Sequence, residues 1–423
     1  MDDRVRMLRE TLYLAAKADR NRRFHALYDK VCRNDILNEA WNTVERNGGT
    51  HGIDNVRILD IENSEEFIQS IAQELKQHTY RPSPVRKVLI PKSNGKMRAL
   101  GIPTVKDRVV QTAVKLVVEP VFESDFEDCS LGFRPDRSAH DAVDGVVKYL
   151  NFGCEHIIDA DISGCFDNIP KHPLMMSVAR RIVDGSTLAL IRSFLDAGIM
   201  DNNEFSDTAA GTPQGSPISP LLANIYLDQL DKRWKSAQHT TETHLIRYCD
   251  DFVILGMGNM EKEMEPLREI MGELQLQLSE EKTRLTTAEQ GFDFLGFHFV
   301  RHYSRSRRKR VTRWIPSKRA RTRIKENIRQ KTDKSNLATS SPYDAKEAVT
   351  RTLTGWYQYF RHSMSTEAFN EIHDYAELSI GRMFSRWKQR KHIGRRLKRE
   401  QHDLTLDRPP PAMIYRTRAG AVR

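Results

Sequence analysis

Tyr248-Cys249-Asp250-Asp251, set between the apolar runs Leu245-Ile246 and Phe252-Val253-Ile254-Leu255, is the stretch on which the reading of this chain turns. Apolar, β-leaning residues on both sides of a Cys-Asp pair predict strand, tight turn, strand. Two adjacent carboxylates thus emerge at a hairpin tip. Unit charges about 4 Å apart repel by roughly 1 kcal/mol in water and about 4 kcal/mol at an intermediate dielectric, so a half-buried acidic pair calls for a cation. Mg2+ suits it, being a hard ion that takes one or two carboxylates and completes its shell with water and substrate phosphates.

Other stretches supply company for that pair. Glu155-His-Ile-Ile-Asp-Ala-Asp-Ile162 reads as a strand entering the core, with Asp159 and Asp161 on one face by the period of two. Periodicity alone does not choose between the two acids. Upstream, Lys87–Ile90 and Met97–Ile102 are strand-like and joined through Asn94-Gly95, a strong hairpin signal. That hairpin carries Arg86, Lys87, Lys92, Lys96 and Arg98, enough positive charge to hold a triphosphate. Gly211-Thr-Pro-Gln-Gly-Ser-Pro-Ile-Ser-Pro220 is a turn so rich in restricted residues that it holds Gln214 in a fixed pose, ahead of an apolar helix Leu221–Leu230. Helices are expected in the first 50 residues, from Asn63 to Lys76 and Val105 to Glu123, and within 172–197 and 260–277.

With 423 residues the chain exceeds one core and is expected to form two to four domains. Charge divides it. Residues 301–423 hold 31 Lys and Arg against 11 Asp and Glu, an excess of +20, which leaves residues 1–300 at −10 within the total of +10. An acidic catalytic part joined to a basic, polyanion-gripping part is the pattern of a nucleic-acid enzyme. After Val300 the composition turns to Arg301-His-Tyr-Ser-Arg-Ser-Arg-Arg-Lys-Arg310, read as a boundary, with helices expected near 317–331, 343–361, 366–380 and 381–399. Aromatics such as Trp314, Trp356 and Trp387 interleave with the basic residues, so stacking and phosphate contact can share one surface. The five cysteines are scattered without a C-x-x-C pair, no apolar run approaches a membrane span, and the N-terminus lacks the apolar region of a secretory signal. A soluble, intracellular protein with free thiols is expected.

In order, the pieces are a basic hairpin, a strand Asp five residues before Phe166, a Pro-Gln-Gly turn, the Tyr248–Asp251 hairpin, a lysine and Phe294-Leu-Gly-Phe297. This succession resembles the reverse transcriptases, and within them the group II intron-encoded reverse transcriptase/maturase family. Its signatures here are Gly52-Ile-Asp54, Ile90-Pro-Lys92, Leu100-Gly-Ile-Pro-Thr104, Gly132-Phe-Arg-Pro135, Asp161-Ile-Ser-Gly-Cys-Phe-Asp167, Gly211-Thr-Pro-Gln-Gly-Ser216, Arg247-Tyr-Cys-Asp-Asp251 and Gly355-Trp-Tyr-Gln-Tyr-Phe360. The resemblance covers roughly 30–395. It implies an α+β right-hand polymerase: a helical N-terminal extension (1–56), fingers (57–154), a palm with an antiparallel sheet (155–300), a helical thumb or maturase domain (301–395) and a basic tail (396–423).

The resemblance also implies roles. Asp161 rather than Asp159 becomes the palm-strand ligand, and Asp161 and Asp250 bridge two Mg2+ ions with Asp251 completing the site. Lys92 and Arg98 match residues that grip the incoming dNTP, with Arg86 beside the template or nucleotide. Phe166 matches a steric gate against the ribose 2′-hydroxyl, Gln214 lines the nucleotide pocket, and Lys282 is the candidate general acid for pyrophosphate. Phe294–Phe297 resembles the primer grip. Cys249 stands where the family usually has Ala, and Cys165 where a first Phe is usual, so both are expected to tune primer and nucleotide contacts. Implied partners are an RNA template with a DNA primer, a structured group II intron RNA and target DNA, in a cytoplasmic ribonucleoprotein. No zinc or endonuclease spacing of Cys and His follows the thumb, so second-strand nicking by this chain is not expected. The competing readings are a splicing maturase whose polymerase is idle, and a domesticated reverse transcriptase in defence, CRISPR spacer acquisition or DNA repair.

Overall fold

Period-two and 3.6-residue patterns resolve into strands and helices that divide between two units in the computed structural model, which describes all residues except 92–96, 202–203, 207–210, 213–214, 306–307, 334–340, 391–405 and 412–423. One unit comprises Met1–Ala139, Ile158–Ile254 and Asn259–Arg284, the other His140–Ile157, Leu255–Gly258 and Leu285–Arg423. The strands in chain order are β1 (Val85–Pro91), β2 (Met97–Ile102), β3 (His156–Asp161), β4 (Ile199–Asp201), β5 (Glu204–Ser206), β6 (Thr243–Tyr248), β7 (Asp251–Gly256), β8 (Arg284–Thr287), β9 (Phe292–Phe294), β10 (Phe297–Ser304) and β11 (Lys309–Pro316).

In the first unit the core is built on the helix Val105–Glu123, whose Val109, Val110, Ala113, Val114, Val117, Val118 and Val121 are fully buried. Thr104 caps it by accepting from the Asp107 N–H. Helices Asp3–Ala18 and Asn34–Asn47 pack against it, the latter through the stripe Ile36, Leu37, Ala40, Trp41 and Val44. Gly48 ends that helix at φ 63°, a conformation glycine adopts without steric cost. No side chain caps its N-terminus: Asp35 stands inside the first turn and its carboxylate takes the Arg33 guanidinium. Asn63 does cap Ser64–Lys76, accepting from the N–H groups of Glu65 and Glu66. The helices expected within 172–197 are Lys171–Ala179 and Gly185–Asp196, the second capped by Asp184, which accepts from the N–H groups of Ser186 and Thr187.

β1 and β2 pair antiparallel from Arg86↔Ile102 to Pro91↔Met97, and β4 and β5 extend that sheet in the order β2-β1-β4-β5. A second sheet has the order β6-β7-β3-β8, with β7 and β3 as its inner strands. The helix Ser219–Ser236 supplies Tyr226 and Leu227 to the core, and its Tyr226 hydroxyl donates to the Leu274 carbonyl at 2.7 Å.

In the second unit β9, β10 and β11 form an antiparallel sheet in the order β11-β10-β9. The composition break at Val300 therefore falls inside β10, whose first half buries Phe297 and Phe299 and whose second half carries Arg301 and His302. Three helices follow, Lys318–Lys331, Pro342–Phe360 and Thr366–Arg390. The last is continuous through residues 380–381, where two helices are expected, since Ile380, Met383 and Phe384 continue one buried stripe across Gly381. Among the described residues no helix is long and apolar enough to cross a membrane.

Candidate active site

The hairpin of β6 and β7 closes through Cys249 and Asp250 alone, and Cys249 takes φ 62°. A positive φ at the first central residue twists with the flanking strands, so this two-residue turn holds them without splaying. Cys249 is buried, which leaves the two acids as the polar ends of the tip. A short stretch, Cys129–Gly132, lies alongside. Arg247 N donates to the Cys129 carbonyl at 2.8 Å and Leu131 N to the Arg247 carbonyl at 2.9 Å. Gly132 then touches the turn itself: a Cβ there would stand 2.5 Å from Cys249 N, so no other residue fits. Arg134 buries its guanidinium beneath this loop, bonding the Glu123 carboxylate and the carbonyls of Glu127 and Ser130.

β3 ends at Asp161 beside β7 in the sheet, bringing acids from distant sequence together. Burial and the charges of Asp159, Asp161 and Asp250 push the Asp251 carboxyl up to about 7. Asp250 is also raised, by burial first, opposed by its own backbone N–H, with Asp161 adding repulsion and Arg98 relieving it. Arg98 thus places its charge within reach of Asp250. Lys282 donates to both Asp161 oxygens at 2.8 Å while half exposed, and Arg284 Nε donates to Asp159 at 2.9 Å. Asp159, set aside in favour of Asp161, therefore belongs to the same electrostatic cluster.

The remaining candidates scatter differently. Phe166 is buried, and its carbonyl accepts from Thr212 N at 2.7 Å, so the Pro-Gln-Gly loop starts on the backbone of Phe166 and Asp167. Gly211, at φ 94°, has no room for a Cβ against Asp167 and Phe166, and Gly215 none against Gly101. Gln214 and Lys92 lie outside the described residues. Arg86 spends its guanidinium on the His51 carbonyl, at 3.1 and 2.8 Å, tying the β1 base to the N-terminal loop. In the second unit Leu295 and Gly296, at φ 49° and 82°, form the turn of Phe294-Leu-Gly-Phe297. Tyr359 Oη donates to the Leu295 carbonyl at 2.8 Å and Phe360 packs on Phe297 at 4.8 Å, joining that turn to the Gly355–Phe360 signature.

Carboxylates alone make up the donor set, which is the chemistry of a hard divalent ion. Among the described residues no three His, Cys, Asp or Glu side chains are gathered closely enough to cage a metal. That is compatible with Mg2+, which takes one or two carboxylates and borrows the rest of its shell from water and phosphates. The Lys282 ammonium on Asp161 marks where the cluster already draws positive charge.

The fold is that of a right-hand polymerase, and sequence comparison gives its lineage. The family described as reverse transcriptase (RNA-dependent DNA polymerase) matches residues 90–299, and the group II intron maturase-specific domain matches 318–401. Protein YkfC of Escherichia coli is 35% identical over 348 residues, covering 72% of this chain and 91% of that protein. The group II intron-encoded protein LtrA of Lactococcus lactis is also 35% identical, over 65% of this chain and 56% of its own length. A 91 kDa protein in the cob intron of Schizosaccharomyces pombe is 38% identical over 48% of this chain and 25% of its length. The chain belongs to the group II intron-encoded reverse transcriptase/maturase family. It is a nucleotidyltransferase of the RNA-dependent DNA polymerase class with a maturase domain, and its partners are nucleic acids.

Proposed function

We propose that this chain copies RNA into DNA at the cluster of Asp161, Asp250 and Asp251, using dNTPs, an RNA template with a DNA primer, and two Mg2+ ions. The observation that carries the reading is the meeting of Asp159 and Asp161 on β3 with Asp250 and Asp251 at the hairpin tip beside it, where burial and the other three carboxylates push the Asp251 carboxyl up to about 7. Packing gains nothing from such repulsion, so the cluster has a use only when cations enter it. Asp161 and Asp250 would hold the ions, with Asp251 completing or orienting the site. When bound, the ions supply the acidification of the primer 3′-hydroxyl and the stabilisation of charge on departing pyrophosphate.

The chain's own side chains do the rest. Lys92 and Arg98 grip the triphosphate, Arg98 from β2 with a planar fork suited to phosphate oxygens. Arg86 braces the base of that hairpin through His51. Phe166 fills the space a 2′-hydroxyl would need, and by the family resemblance Gln214 is the residue assigned to the nucleotide pocket. Lys282 neutralises Asp161 in the resting protein, and its Nζ carries the proton given to pyrophosphate. The basic 301–395 region grips a structured intron RNA and assists its splicing, with target DNA as a further partner, in a cytoplasmic ribonucleoprotein.

The test is primer extension with the purified full chain, an RNA template, an annealed DNA primer, dNTPs and Mg2+, with and without intron RNA. Template-dependent DNA synthesis supports the reading, and its absence in every combination overturns it. RNA affinity should fall steeply as salt rises, since many phosphate contacts release counterions. A flat salt response would remove the basic region from the interface.

A further inference from the structure

Arg247 is the largest fully buried side chain among the described residues, and it lies three residues before Asp250. All five of its N–H donors are placed. Nε and Nη2 bond the two Asp231 oxygens at 2.8 and 2.5 Å, and Nη1 bonds Asn224 Oδ1 at 3.0 Å. Nη2 also reaches Ser130 Oγ at 2.7 Å, and Nη1 reaches the Cys249 carbonyl at 2.9 Å. That last bond lands on the turn itself, on the peptide that leads into Asp250.

The partners are themselves braced. Asn224 and Asp231 sit seven residues apart on one face of Ser219–Ser236, and Asn224 Nδ2 donates to the Gly132 carbonyl at 2.7 Å. Gly132 abuts Cys249 with no space to spare. One guanidinium therefore links the helix, the Cys129–Gly132 stretch and the turn. A buried ion pair is weak grounds for stability, because apolar residues of similar volume often serve as well or better. What apolar residues cannot supply is a donor aimed at the Cys249 carbonyl.

We propose that Arg247, oriented by Asp231, is a positioning residue that fixes the height and direction of the Asp250 and Asp251 carboxylates by holding the Cys249 carbonyl from below. The inference rests on the polymerase reading of those acids. Outer partners that orient ligands typically change metal affinity or activity by about 10- to 100-fold when removed. Lysine retains the charge opposite Asp231 but has no fork to reach Cys249, Ser130 and Asn224 together.

Two variants of the full chain test this. Arg247→Lys keeps the ion pair, and Ser130→Ala removes one hydroxyl while leaving the buried charges paired, so the second folds even if the first does not. The readouts are Mg2+ affinity by calorimetry without nucleotide, the kcat and KM of primer extension, and RNA affinity. Arg247→Lys should weaken Mg2+ binding and lower kcat by about 10- to 100-fold, Ser130→Ala should move both the same way by less, and RNA affinity should hold in each. Unchanged Mg2+ affinity and kcat per folded molecule in the variants that fold would overturn the proposal. If the wild-type chain itself extends no primer, the polymerase reading fails, and the calorimetric comparison still decides whether Arg247 governs the carboxylates.

Discussion

Two turns of equal length do opposite work in this protein. Cys249-Asp250 in the first unit is backed by a buried guanidinium and aims carboxylates outward. Leu295-Gly296 in the second is backed by aromatic rings, with the Tyr359 hydroxyl on the Leu295 carbonyl and the Ser317 N–H on the Gly296 carbonyl, and carries no charge. Dispersion tolerates small displacements, whereas a hydrogen-bonded charge network has one favoured geometry. Rigidity is therefore concentrated where charge must be placed, and the apolar turn is held by ring packing and two neutral hydrogen bonds.

The comparison breaks most sharply at Asp250. Asp250→Ala should lower primer extension by about a thousandfold or more while RNA affinity stays within about twofold, measured by extension and filter binding; retained synthesis would mean the chemistry lies elsewhere. Glycine substitutions sharpen the contrast in stability. Gly132→Ala drives a Cβ against Cys249 N, so backbone must move and thermal unfolding should register a loss on the order of 3 kcal/mol. A loss below that of Gly296→Ala would deny the charged turn its tighter fit.

Asp251 offers an effect of opposite sign. Its carboxyl in the folded chain is raised to about 7, above the unfolded value near 3.9, so the folded state holds a proton that the unfolded state has released. Stability from this group therefore falls as pH climbs from about 4 to 7 and is flat beyond. Asp251→Asn should stabilise the folded chain at pH 8 without metal, by on the order of 4 kcal/mol read as a higher Tm, and leave the Tm unchanged near pH 4. Equal gains at both pH values would show that repulsion is not the cause. The smallest effect belongs to the apolar turn. Gly296 stands at φ 82° with only the Phe360 ring beyond 3.5 Å, so Gly296→Ala should cost about 1 kcal/mol from backbone strain alone.

Much of this was legible in the residues. The β-rich runs on both sides of Cys-Asp mark a turn there although Cys249 is not a residue that favours its φ of 62°, and the Asn63 cap, the Val105–Glu123 helix and the β1–β2 hairpin follow from local rules. Ordered short motifs carry the family. Other features were not legible. Nothing in the run Arg247-Tyr-Cys-Asp-Asp251 marks its arginine as buried, because that burial depends on Asp231, Asn224 and Ser130, which no local pattern connects. Asp159 looked interchangeable with Asp161 by period and proved to press on Asp251.

The sequence by itself determined the element types, the tip that bears two acids, the charge division at about residue 300 and the lineage, since each depends on neighbours along the chain. Tertiary structure alone decided which carboxylates share a field, which arginine supports the turn, and that Arg86 is committed to a backbone carbonyl. The reason is that electrostatics and desolvation act through space, and the groups concerned lie as far as 117 positions apart in the chain.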